Sequence, residues 1–536
     1  MVAFRSALRA HSLDPVSGLA SRSATTIALD QRGPADARAR PLGRFSYLAS
    51  GDSLLGVAVL ALAAGLLLYL PSAFSVDSWL ALLAGREIWQ HGLPQYETLT
   101  VFAHGVRWVD QQWLAELSTF ALYRAGGLGL VGLANVALIA GAVAIALTTA
   151  RTLGAQSRSV LLCLPACVWL LLPAREVRTQ ELALPLFALV VHLLATDSRR
   201  PSRRVYWCLP ILILWGNLHG TVSVGAGLVA LRGLTLAWER RAATDGLRRW
   251  LRPAGLIGGA PLCALLTPYG PTIITYYQHT LLNSALRHAV TEWQPITSSM
   301  PVAVPFLILT GALLWSFGRA PAASTLWERA ALLALALLSV EVIRNVELFG
   351  LCALALAPVT IERLLPVGRP ARPRPMINAA IALGAAAFLL VTTAATLMRS
   401  PRSLGPGYQR SGLLGAVRSA TDAYPRLRVF TDSRFADWLL WADPALAGRV
   451  AYDVRYELLS AAQLQQIQLA LAAIGPRFAS AAQGYRLVVL ERGADRFSIA
   501  AFLAERGRRI IYEDAHTIAI LRPAWAQQAR EHPRFS

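Results

Sequence analysis

The run Leu54-Leu-Gly-Val-Ala-Val-Leu-Ala-Leu-Ala-Ala-Gly-Leu-Leu-Leu-Tyr-Leu70 passes directly into Pro71-Ser-Ala-Phe-Ser-Val-Asp77-Ser-Trp79. The first part holds no charged side chain and approaches the roughly 20 residues that a helix needs to cross a bilayer. The second part sets a carboxylate a few residues beyond that boundary. Further apolar runs follow at about 128–150, 159–173, 180–196, 205–218, 220–238, 253–268, 302–318, 329–342, 346–362 and 377–397, making eleven expected spans with the first. The composition of the 536 residues agrees, at 55% hydrophobic with a mean hydropathy of +0.45. The expected fold class is a mainly α, polytopic membrane protein.

Net charge is +20 and the chain contains no lysine. Starting inside and alternating, the arginine clusters at 151–158, 199–204, 240–252, 319–329 and 363–374 all fall on the inner side. This is the asymmetry that orients membrane proteins. A nucleic-acid partner would need basic residues gathered on one soluble face, and these lie between apolar runs instead. Residues 1–45 are polar and arginine-rich with no apolar segment before them, and read as a disordered cytoplasmic tail without a cleavable signal peptide. The five cysteines, Cys163, Cys167, Cys208, Cys263 and Cys352, sit inside apolar runs and read as small core residues.

Residues 46–400 are then the transmembrane domain, with a long first outer loop at 72–127. That loop is too polar to cross and too long for a hairpin. Asp77 to His91 reads as an amphipathic helix with Trp79, Leu82, Leu83 and Trp89 on its apolar side. Residues 112–124 read as a second helix lying in the interface, ended by Gly126-Gly127. Residues 401–536 change character. Strands are expected at 428–432, 449–453, 486–490, 509–512 and 517–521, and helices at 434–441, 460–473 and 498–505. This alternation predicts a small α/β domain, placed outside the membrane by the parity of the spans.

The same parity gathers a set of ionisable residues on the outer side. Asp77 is either the N-cap of its helix or a general base taking a proton from an acceptor hydroxyl. Asp110 and Glu116 either cap and solvate the second helix, assist the base or hold a metal. Their spacing is not a compact metal-ligand pattern, so no cofactor is assigned and a divalent metal stays open. Asn217 and His219 in Trp215-Gly-Asn217-Leu-His219-Gly220 form a structural turn or face a substrate, being costly at membrane depth unless partnered. Tyr269 stops a helix or anchors it at the interface. Glu292 precedes Trp293 before a span. Arg344-Asn345 break the arginine pattern. Arg344 either pairs with Glu341 or Glu347 or binds an anion, most simply a lipid phosphate, with paired hydrogen bonds. Arg175 and Arg178 present the same choice.

In this order the motifs resemble bacterial integral-membrane glycosyltransferases of the C-type fold. The pieces are Asp77-Ser-Trp79 with Gly85 and Pro94; Trp108 to Glu116; Gly126-Gly127; Trp215 to Gly220; Pro268-Tyr269-Gly270; Glu292-Trp293; and Arg344-Asn345. Residues 435–441 and 512–514 resemble the small domain that ends many such chains. Relatives include the lipid A aminoarabinose transferases and the protein O-mannosyltransferases. The resemblance implies transfer, with inversion, of a sugar from a polyprenyl-phosphate carrier. The acceptor would be a glycan, lipid or protein hydroxyl at the outer face of a bacterial cytoplasmic membrane. It maps the essential carboxylate onto Asp77. Where relatives read Arg-Pro-Gln, this chain has Arg178-Thr179-Gln180. Two other classes remain open from sequence: a secondary transporter, disfavoured by few mid-span charges, and a non-catalytic envelope assembly protein.

Overall fold

In the computed structural model the described residues are 52–242, 246–281, 286–287, 290–366, 375–399, 403–408, 410–472 and 482–524. The expected tail at 1–45 and the arginines at 369–374 lie outside them. Among the described residues, seven helical stretches are long and apolar enough to cross a membrane: Ser53–Ser72, Trp113–Thr152, Thr179–Arg199, Val222–Glu239, Met300–Arg319, Ile343–Leu364 and Met376–Met398. The four other expected spans are shorter helices, Ser157–Leu170, Cys208–Gly216, Arg248–Ala264 and Leu326–Glu341. The expected eleven therefore correspond to seven of spanning length and four that fall short. At 9 residues, Cys208–Gly216 rises only ~14 Å. The chain is a multi-pass membrane protein.

Gly126 and Gly127 break Trp113–Thr152 into two limbs, Gly127 adopting φ 65°, which only glycine adopts readily. The expected boundary after residue 124 is therefore present as a kink. The helix Val76–His91 differs from expectation. Trp79 to Gly85 are all buried, because Ser433–Ala442 and the first limb of Trp113–Thr152 cover it from two sides. Packing from the far end of the chain thus covers a face that the amphipathic pattern alone would leave open. Gly85 makes the second contact possible, since a Cβ there would lie 2.2 Å from the Glu116 carbonyl oxygen. Four cysteines are buried and all five are free thiols.

The C-terminal region holds a four-stranded sheet, β1 Val429–Thr431, β2 Leu487–Glu491, β3 Arg509–Glu513 and β4 Thr517–Leu521, in the order β1-β2-β4-β3. Strands β1 and β2 are parallel and the other pairs antiparallel. Alternate residues face opposite ways. Val429, Leu487, Val489 and Leu521 join a core that also contains Leu67, Leu70, Phe74, Trp79 and Leu82. Phe430, Val488, Ile518 and Ile520 pack against Leu464, Ile467 and Phe502 on the other face. One face of the sheet thus shares its core with the first span and its outer loop. The expected strand at 449–453 pairs only at Val450, which bridges Val429 on one side and Thr100 of the first loop on the other. Arg86 reinforces this seam by donating to the carbonyls of Trp441 (2.8 Å) and Leu440 (3.0 Å).

Candidate functional site

Asp77 lies in the first turn of its helix, where the helix dipole favours an anion. It is not the cap. Ser75 is, and its backbone N–H donates to Ser78 Oγ at 3.1 Å. Two bonds strap this start to the segment that precedes the Thr179–Arg199 stretch: Ser78 Oγ donates to the Val177 carbonyl (2.5 Å) and Val177 N–H to the Ala73 carbonyl (2.9 Å). Asp77 is thereby brought to Arg178, with Oδ2 3.3 Å from Nε. Arg178 also meets Glu176 at 2.6 Å and Glu292 in close contact. Burial would lower the Arg178 guanidinium, but Asp77, Glu292 and Glu176 reverse this and raise it. Burial raises the Asp77 carboxyl above its ordinary range against the pull of Arg178. At Glu292 the order is opposite: burial would raise it, yet Arg178 and Arg344 hold it below the usual range.

Asp110 and Glu116 form a second acidic centre, 2% and 1% exposed. Asp110 Oδ1 accepts the Gln112 N–H (3.2 Å), and Glu116 Oε1 accepts from the Gln112 carboxamide (2.8 Å). Burial raises the Asp110 carboxyl, and the two groups are close enough to share a proton. Arg344 pairs with neither Glu341 nor Glu347, the partners that its neighbours in sequence suggest. No carboxylate lies within salt-bridge distance of it among the described residues. Its guanidinium donates to Gln180 Oε1 at 2.7 Å and stands 5.5 Å from the Trp293 ring. Glu347 is held instead by Gln180 Nε2 at 2.7 Å. His219 Nδ1 accepts the Thr221 N–H (3.2 Å), which leaves the ring proton on Nε2. Burial, with Arg344 and Arg178 nearby, keeps this imidazole neutral by pushing it well below its ordinary value.

These residues share one cavity of about 800 Å³, lined among others by Asp77, Asp110, Glu116, Arg178, His219, Glu292, Arg344 and Asn345. Its walls are not all charged. Val224, Leu228, Leu231 and Leu234 recur at helical spacing along Val222–Glu239, opposite Leu335 and Leu338 of Leu326–Glu341. Leu234 and Leu338 are exposed at the edge of this apolar arm. A protein interior buries such faces, so the arm offers room for an apolar chain.

Three expected site residues are not among the lining. Asn217 is structural: its Oδ1 accepts the Trp113 indole N–H (3.0 Å), and its Nδ2 donates to the carbonyls of Ile213 (2.8 Å) and Leu266 (2.9 Å). Tyr269 donates its hydroxyl proton to the Pro94 carbonyl at 3.1 Å. Arg175 stands over the Tyr69 ring at 4.8 Å. Conversely, the sequence does not single out Gln111, Tyr276, Tyr277 or the turn Val454–Glu457, all of which line the cavity. Arg455 is anchored at 2.8 Å to Glu97, also meets Asp453, and lies 4.2 Å from the Trp108 ring. The C-terminal region therefore supplies one wall. Among the described residues no three His, Cys, Asp or Glu side chains converge as a metal site.

No family model matches the sequence, and no curated protein sequence does. Solved structures do. ArnT from Cupriavidus metallidurans in the apo state superposes with a TM-score of 0.50 at 13% identity, over 89% of this chain and 99% of that one. ArnT bound to undecaprenyl phosphate gives 0.49 at 13% identity, over 89% and 99%. The archaeal oligosaccharyltransferase AglB from Archaeoglobus fulgidus, in complex with an inhibitory peptide and a dolichol-phosphate, gives 0.47 at 10% identity, over 88% and 75%. The likeness to apo ArnT establishes the fold, and the C-type architecture expected from the motifs is present.

Proposed function

We propose that the chain is a membrane glycosyltransferase that moves a sugar from a polyprenyl-phosphate carrier to an acceptor hydroxyl at the outer face of a bacterial cytoplasmic membrane. One observation carries the reading: a single cavity joins an acid-rich end, where Arg344 has no carboxylate partner, to an apolar arm between two helices. That shape suits an amphiphile with an anionic head and a hydrocarbon tail. The motif resemblance and the shared fold support the same reaction class.

In this reading the tail lies along Val224, Leu228, Leu231 and Leu335, and the carrier phosphate sits near Arg344. Asp77 takes the acceptor's hydroxyl proton. The freed oxygen attacks the anomeric carbon, the bond from that carbon to the phosphate oxygen breaks, and the carrier phosphate leaves with the electron pair. Attack opposite the leaving group inverts the anomeric centre. Arg344 stabilises the departing phosphate dianion, the role that fixed cations serve best in a water-poor site. No step is routed through a metal.

The test is Asp77→Asn in proteoliposomes supplied with undecaprenyl-phosphate-linked hexose or pentose and envelope lipid or glycan acceptors. General-base removal should lower the transfer rate by ~10²–10⁴-fold while the protein stays folded. Undiminished transfer would remove Asp77 from this role. Wild-type transfer should fall on the acid side at a higher pH than an ordinary aspartate's ~3.9, because burial raises Asp77 and only the ionised form accepts the proton.

A further inference from the structure

Gln111 is 4% exposed and lines the cavity, yet its Nε2 has no hydrogen-bond partner. The Tyr277 hydroxyl, on the helix Ile273–Leu281, is buried and also unpartnered. The two meet at Gly220. A Cβ built there would lie 3.1 Å from Gln111 Oε1 and 3.7 Å from a Tyr277 ring carbon, so glycine leaves this corner open. Next to Gln111 in sequence, Asp110 Oδ2 receives no donor from the rest of the chain beyond the proton that the acidic pair can share, and neither does Glu116 Oε2. Buried polar groups are nearly always satisfied, and leaving them otherwise is costly. Two idle donors in the same cavity lining as an acidic pair with acceptor lone pairs to spare therefore describe an occupant that can do both.

A hydroxyl is such a group: its oxygen accepts from Gln111 or Tyr277 while its hydrogen is donated to a carboxylate. A phosphate is disfavoured here because it would only accept, and its charge would face the acidic pair. A bare cation would leave the carboxamide and phenol unmet. We propose that Gln111 and Tyr277, with Asp110 and Glu116 behind them, form a recognition site for the adjacent hydroxyls of an uncharged sugar ring. The inference rests on the glycosyltransfer reading and extends it by naming where the sugar is read. The ring can belong to the lipid-linked donor or to a glycan acceptor, and the chemistry is the same for both.

The test measures binding of three probes to the purified full chain in nanodiscs: undecaprenyl phosphate, undecaprenyl-phosphate-linked hexose, and soluble methyl glycosides with short oligosaccharides. The variants are Gln111→Leu, which removes both N–H groups at similar volume, and Tyr277→Phe, which removes one hydroxyl. Each should weaken the sugar-bearing probe about 5–10-fold, the size of one neutral hydrogen bond, and leave the bare carrier unchanged. Selective loss for the lipid-linked hexose assigns the ring to the donor, and selective loss for the soluble sugars assigns it to the acceptor. Equal weakening of bare undecaprenyl phosphate, no change for any probe, or a bound-state structure with only ordered water against these groups would overturn it. If the wild type binds no undecaprenyl phosphate at all, the carrier reading falls, while the soluble sugars still decide the fate of the pair.

Discussion

Two arginine–carboxylate clusters stand at opposite ends of the Thr179–Arg199 stretch, roughly 30 Å apart at helical rise. At the far end Asp197 is 1% exposed, and both its oxygens are engaged. Oδ2 is 3.0 Å from Arg232 Nε, while Oδ1 accepts the Ser202 N–H at 2.9 Å and closely meets Arg252. Three helix ends are tied together there, and the cavity that Asp77 lines does not include them. At the near end Arg178 gathers three carboxylates, Asp77, Glu176 and Glu292, and lines the cavity with the first and last of them. The residue types are the same. The difference is that the far cluster closes on itself, whereas the near one has an excess of acid and faces open space. Closure identifies structure, and surplus charge beside a cavity identifies chemistry.

The sharpest way to break this contrast is Asp197→Ala. It leaves Arg232, which is fully buried, with only the part-exposed Glu239 as counter-charge. Removing one partner of a buried pair costs ~3–5 kcal/mol. The expected outcome is a large drop in the thermal midpoint in detergent, with transfer per folded molecule unchanged. If stability holds and transfer disappears, the far cluster is functional and the contrast fails.

Arg178→Gln probes the near end. Here the expected stability change is small, about 1 kcal/mol, because all three carboxylates are part-exposed. Transfer should fall ~10–100-fold, as for loss of a positioning charge. The sign of the pH effect discriminates further. Arg178 pulls the Asp77 carboxyl down against burial. Its removal should move the acid limb of the rate profile to higher pH, and a limb that stays in place would separate Asp77 from Arg178.

Much of the near site was legible in the sequence. Arginines on the wrong side of an orientation pattern are rare enough to mark Arg178 and Arg344, and a carboxylate just past a span marks Asp77. The spans themselves follow from run length. What parity cannot supply is azimuth. It places Arg175, Asn217 and Tyr269 on the same side as Asp77, but not the direction in which each points, and hydrogen bonding turns two of them away. Nor could local pattern show that Val454–Glu457 closes the cavity. That depends on the sheet sharing a core with the first span, on Arg86 capping Ser433–Ala442, and on Arg455 reaching Glu97. The burial of Val76–His91 has the same cause: its outward face is amphipathic by pattern and covered by a partner from the far end of the chain.

The acidic pair offers the finest test, because it resembles neither cluster. Asp110 has no salt bridge among the described residues, and burial raises its carboxyl above the ordinary range. A carboxyl whose folded value is raised holds its proton more tightly in the native chain than in the unfolded one. Stability from this group is therefore fully present below the unfolded value of ~3.9 and declines as pH rises through the folded value. Asp110→Asn removes the titration but keeps the shape and the oxygen that accepts the Gln112 N–H. Denaturation midpoints measured from pH 4 upward should fall for the wild type and run flatter for the variant, the two curves separating by about 1 kcal/mol or more across that range. Parallel curves would mean that Asp110 is already ionised and neutralised in the folded chain. The pair would then behave like Asp197, and the distinction between a closed cluster and an open one would no longer follow from their charges.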